Sequence, residues 1–133
     1  MMDKVEFLIL RNLLHNEEYV RKVIPFIKAD YFEDYNQKVV FEETLKFVEE
    51  YNQPVTKEVL CIETEKRQDI NDSSFKEITD LIGGLDDEPT EFNWLVNTTE
   101  KWCRDRAIYL ALMESIQLAD GKDETKGRDA IPT

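Results

Sequence analysis

The residue types that could run a reaction are few in this sequence, and their spacing does not assemble a site. There is one histidine, His15. A Ser-His-Asp triad would have to use it, and no residue in the pattern stands out as its nucleophile. A di-iron bundle site takes Glu-x-x-His from each of two helices. A lone His serves one such motif at most, and the residue three before it is Asn12. His15 therefore reads as an exposed residue at a helix end. Cys61 and Cys103 form no CxxC pair, and the common zinc sites need more Cys and His than the chain has. Both read as reduced, structural thiols.

Carboxylates are abundant, in the pairs Glu17-Glu18, Glu42-Glu43, Glu49-Glu50 and Asp86-Asp87. Adjacent residues on a helix do not face one another, so these pairs read as solvated faces and not as ion ligands. "GGLDDEP" lacks the Lys-Ser/Thr of a phosphate-cradling loop, and "DGKD" offers a lone Gly-Lys followed by Asp. No Walker A motif is present. The expectation is a chain with no catalytic, cofactor-binding or metal-binding residues of its own.

Charge narrows the partners. With 29 Asp+Glu against 17 Lys+Arg, the formal charge is −12 over 133 residues. Such a surface repels phosphate backbones and speeds encounter with a basic protein. No apolar run approaches the ~18 residues of a membrane span. "MMDKVEFLILRNLLHNEE" is acidic and amphipathic without a small-residue cleavage site, so it reads as a helix and not a signal peptide. A cytoplasmic protein is expected.

The elements that would position any site are helical throughout. Val5, Leu8, Ile9 and Leu13, widened by Phe7, Leu10 and Leu14, predict a buried helix over about residues 3–15. Asn16 caps a second, with Glu17 and Glu18 in its first turn and Pro25 at its end. A third begins near Asp34 and carries Val40, Phe41, Leu45, Val48 and Tyr51. Thr56 caps a short fourth through Val59, Leu60 and Ile62. Ser74 and Glu77 have capping-box spacing for a fifth, with Phe75, Ile78, Leu81 and Ile82 inward and Gly83-Gly84 as its stop. Thr90 is the expected cap of a long sixth helix. No alternating strand pattern occurs, so the fold class is all-α.

The sixth helix is the distinctive element. "TEFNWLVNTTEKWCRDRAIYLALMESIQLA" has neither Pro nor Gly and would extend ~45 Å as a helix. One strip holds Leu95, Thr98, Trp102, Tyr109, Met113 and Ile116. A second holds Cys103, Ala107, Leu110, Ala111 and Leu118. If the bundle covers the first strip, the second lacks a partner, and a second copy of the chain is its natural cover. The expected self-association residues are Ala107, Leu110, Ala111, Met113 and Leu118, with Tyr109 at the edge and Arg106 as partner to a carboxylate. "DGKDETKGRDAIPT" then reads as a linker. The organisation expected is a helical domain over 1–119 and a linker over 120–133 leading to a further domain.

The stretch "LRNLLHNEEYVRKVIPFIKADYFEDYNQKVVFEETLKFVEEYNQPVTKEVL" resembles the N-terminal domain of DnaB-type replicative helicases. "RDRAIYLALMESI" is similar to the Arg-Ala-Leu signature on that domain's last helix. "DYF", "EYNQP", "SSFKEI", "LIGGLDDEP" and "WLVNTTEKW" follow the order seen in the T-even phage members, and "RDAIPT" resembles their linker. The resemblance implies a helical bundle bearing a helical hairpin extension. It implies a non-catalytic collar domain of a hexameric, ATP-driven helicase, which pairs with copies of itself and meets primase and a helicase loader. ATP, Mg and most DNA contacts would belong to the ATPase domain. The alternative is a free-standing acidic phage regulator that binds a host protein.

Overall fold

A computed structural model gives the fold. It describes residues 4–129, with side chains up to residue 119. Six helices follow one another: α1 (Lys4–His15), α2 (Glu17–Val23), α3 (Tyr35–Tyr51), α4 (Lys57–Glu65), α5 (Asp72–Gly83) and α6 (Phe92–Asp129). A 3-10 turn, Ala29–Tyr31, joins α2 to α3. No strand occurs among the described residues. The all-α expectation holds.

Local chemistry sets most boundaries. Asn16 accepts from the Tyr19 amide at 3.0 Å, Asp34 from Gln37 at 3.0 Å and Thr56 from Val59 at 3.2 Å. Each satisfies an orphan amide of a first turn. α3 ends on Asn52, whose left-handed φ of 52° suits a helix stop. Its amide donates to the Val48 carbonyl at 2.8 Å.

Two expected caps are wrong. α5 is capped by Asn71, which accepts from the Ser74 amide at 2.8 Å. The Ser74–Glu77 box therefore lies inside the helix, because an equally good cap three residues earlier adds another turn of hydrogen bonds. α6 starts at Phe92, and the Glu91 carboxylate takes the Trp94 amide. The Thr90 hydroxyl is claimed from α1 instead, by Arg11 at 2.8 Å and Asn12 at 3.1 Å. Both side chains are buried, and buried donors need acceptors.

α3 packs against α1, α4 and α5, while α6 packs on α1, α2 and the 3-10 turn. Tyr19, Phe32, Phe41, Leu60, Ile78, Leu85 and Leu95 are completely enclosed. Phe32 stacks between Phe41 and Trp102, at centroid distances of 5.3 and 4.9 Å. α1 is buried at Ile9, Leu10, Leu13 and Leu14, as its all-round apolar pattern predicts. His15 is exposed but tethered, since its Nε2 donates to the Leu85 carbonyl at 2.8 Å.

Not every acidic pair is a solvated face. Glu43 is 4% exposed, and Arg67 reaches it at 2.7 Å and Glu42 at 3.0 Å. The same guanidinium holds Asp69 at 2.6 Å, and Tyr35 donates to Asp69 from the other side. Arg67 keeps the Asp69 carboxyl well below the usual carboxylate range. A planar fork with several donors can serve three carboxylates at once, and this one ties the loop after α4 to α3.

The α6 backbone stays helical through Asp129, inside the segment expected to be a linker. A helix already nucleated extends at little cost through Asp, Lys, Glu and Thr, and isolated glycines such as Gly121 and Gly127 weaken it without stopping it. Residues 130–133 lie outside the described ones. The extension implied by the resemblance corresponds to the projecting part of this long C-terminal helix.

Candidate functional site: the projecting half of the long helix

The first three turns of α6 belong to the bundle. Leu95, Val96, Thr99, Trp102 and Cys103 are buried. Thr99 donates to the Leu95 carbonyl at 2.8 Å. Since a carbonyl only accepts, the Tyr19 hydroxyl donates to Thr99 Oγ1, at 2.6 Å. Burial pushes the Tyr19 hydroxyl far above its ordinary pKa. It also pushes the Cys103 thiol up to about 11, with Glu100 adding to the rise. Tyr31 meets the Trp102 ring edge-on at 5.9 Å.

Arg106 is the last tie. Its Nε donates to the Tyr31 carbonyl, its Nη1 reaches Glu33 at 3.3 Å, and its guanidinium lies 4.9 Å above the Tyr109 ring. The carboxylate expected beside Arg106 is thus Glu33 of the same chain. This side chain anchors the helix to the 3-10 turn.

Beyond Arg106 the bundle ends and the helix continues. Only Leu110 and Met113 keep partial cover, and Leu110 still touches the core cluster. Ile108 and Leu112 are each 59% exposed, Ile116 53%, Tyr109 47% and Leu118 65%. Ala107 and Ala111 are also exposed. From Ala107 to Ala119 the only charged residue is Glu114. A solvent-exposed stretch this poor in charge is unusual, because a helix lying on a surface normally shows a polar side.

The expectation of one covered strip and one bare strip is corrected accordingly. Cover is divided along the length of α6, because the bundle is only a few helical turns deep. Cys103, assigned to the bare strip, is buried; Tyr109 and Ile116, assigned to the covered strip, are exposed. Of the expected self-association residues, Ala107, Ala111 and Leu118 share one exposed side. Leu110 and Met113 face back toward the bundle, with Tyr109 between. At 100° per residue, Ile108, Leu112 and Ile116 lie within one quadrant opposite the core-facing side. Ile108 and Leu112 went unassigned, although their spacing of four carries the signal.

Among the described residues no three His, Cys, Asp or Glu converge as a metal requires. No helix among them is long and apolar enough to cross a membrane. A bare apolar surface of this kind is a candidate interaction surface.

The chain is similar to the DnaB-like replicative helicase of Enterobacteria phage T4, with 29% identity over 111 residues. The match covers 84% of this chain and 23% of that helicase, so the chain spans about a quarter of its relative's length. No protein-family model matches, and no solved structure does. The similarity bears out the resemblance drawn from the order of the sequence segments, and the partial coverage is consistent with an N-terminal domain. The alternative of a free-standing regulator gains no support.

Proposed function

We propose that this chain is the N-terminal collar domain of a hexameric, ATP-driven replicative DNA helicase. There it would join subunits through the projecting half of α6 and offer a repeated surface to primase and a helicase loader. The observation that carries the reading is the apolar, nearly uncharged surface over 107–119. Ile108, Leu112 and Ile116 are its most prominent outward residues. Each large side chain buried across a contact contributes roughly 1.5–3 kcal/mol, so three per copy offset part of the association cost.

The role is mechanical. Collar contacts hold one ATPase domain near the next and raise its effective concentration. ATP and Mg would bind in the ATPase domain, which would also make most of the DNA contacts. The charge of −12 keeps the collar off phosphate backbones. The setting is the cytoplasm of a phage-infected bacterium.

Sedimentation tests the contact. The wild-type chain should self-associate by about 100 μM, which corresponds to roughly 5.5 kcal/mol of association free energy. Leu112→Asp should shift it to monomer while its helical circular dichroism is unchanged. Leu110→Asp is the less selective variant, because Leu110 is half-buried against the core. A wild-type chain that is monomeric at that concentration overturns the reading. The chain alone should neither turn over ATP nor unwind DNA, and at ~0.15 M salt its affinity for DNA should be weaker than about 1 μM.

A further inference from the structure

α4 is held by α3 and α5, away from the elements that hold α6. Between α3 and α4 lies a half-open cavity of about 300 Å³. Its apolar wall consists of Phe47, Tyr51, Val59 and Ile62. Phe47 and Tyr51 stack at 4.7 Å, and the stack leaves Tyr51 57% and Ile62 49% exposed. The rim is acidic, with Glu43, Glu50 and Glu63 against Lys46. Glu43 is already neutralised by Arg67 and Lys46. Glu63 is paired at 2.8 Å with Lys66, which holds its carboxyl below its ordinary range. Glu50 has no such partner and is exposed. The same two helices also carry Glu49, Glu58 and Glu65, with Lys57 at the start of α4.

We propose that this groove is a docking site for a basic amphipathic helix of a partner protein. One aliphatic or aromatic side chain would seat against Phe47, Val59 and Ile62, with Lys or Arg on the flanking turns facing Glu50 and its acidic neighbours. The volume is at the small end of the ~300–1,000 Å³ typical of ligand clefts, which suits an anchoring side chain. Two features select the occupant. The apolar wall disfavours a purely electrostatic ligand, and the unpaired Glu50 together with the chain's charge of −12 disfavours a nucleic acid, an anionic membrane or a second copy of this acidic chain. An amphipathic helix laid into a groove, with oppositely charged surroundings, is a recurrent recognition mode. This inference is independent of the collar reading, since it uses no residue of the projecting helix.

The probe is a fluorescein-labelled Leu/Lys peptide with leucines at helical i, i+3, i+4 and i+7 steps. A scramble of the same composition and a version with Glu in place of Lys are the controls. Anisotropy against the whole chain reads affinity, and backbone amide NMR shifts read location. The patterned peptide should bind at least about tenfold tighter than the scramble, the loss expected when an anchoring residue is misplaced. The Glu version should not bind. Shifts should fall on the second half of α3 and on α4. Ile62→Asp, at a half-exposed position, should weaken binding about tenfold, and Glu50→Lys should weaken it less and flatten its fall with salt. Equal binding of peptide and scramble would mean charge attraction alone and would overturn the proposal. So would shifts centred on α6, binding indifferent to Ile62→Asp, or no binding at millimolar peptide.

Discussion

The two halves of α6 have opposite surroundings, and the less covered half is the more apolar: ten of the 13 residues over 107–119 are apolar, against six of the 15 over 92–106. Over 92–106 the helix packs on α1, α2 and the 3-10 turn, and Thr99 and Arg106 are tied across the bundle, Thr99 to Tyr19 and Arg106 to Tyr31 and Glu33. Over 107–119 it carries Ile, Leu, Tyr and Met side chains with little or no cover. Apolar residues in a helix therefore do not by themselves say where the core is. Packing partners decide that, and those partners come from residues 70 to 80 positions away in the sequence.

Substitutions should separate the halves by size of effect. Leu95 is 1% exposed, so Leu95→Ala should destabilise the monomer by about 2–5 kcal/mol in urea unfolding. A loss below about 1 kcal/mol would mean the first half is not core. Thr99→Val should cost about 1–3 kcal/mol, because it leaves the buried Tyr19 hydroxyl without an acceptor. The double variant Tyr19→Phe/Thr99→Val should recover most of that, since removing both partners is close to neutral. A double variant as unstable as the sum of the singles would break the hydroxyl relay.

Cys103 marks the same boundary chemically. Burial raises its pKa to about 11, so at pH 8 it should react with a disulfide reagent far more slowly than the partly exposed Cys61. The raised value means that the fold favours the protonated thiol. That contribution is fully present below the thiol's unfolded pKa of about 8.5 and is lost as pH rises toward about 11. Cys103→Ala should flatten this alkaline fall in stability, measured by urea unfolding across that window. The smallest effect belongs to the second half. Leu112→Asp should change monomer stability by no more than about 0.5 kcal/mol, even though it is expected to change association.

Six helices, the caps Asn16 and Thr56, the start of α3 near Asp34 and the absence of a strand among the described residues were legible because each depends on residues a few positions apart. Asn16, Asp34 and Thr56 need only the amide three residues on. Thr90 misled because its hydroxyl is wanted by Arg11 and Asn12, and no local pattern records a contact across the molecule. The Arg67 cluster was hidden for the same reason, its carboxylates lying on another helix. The candidate site was half legible. Length and apolar content pointed to the end of α6, while assignment to strips along the whole helix hid the boundary near Arg106. Ile108, Leu112 and Ile116 become visible as a set once that boundary is known.

Arg106 has a further consequence as the pivot of a lever. From Arg106 to Ala119 the helix advances about 20 Å. A swing of about 10° at the pivot would therefore carry the tip sideways by about 3–4 Å, roughly twice the rise of one residue. Angular tolerance at the tip is thus set by a few polar contacts at the base, the Tyr31 carbonyl and Glu33 among them. A slack pivot would blur the register in which one projecting helix meets another, with every residue on the apolar surface left unchanged.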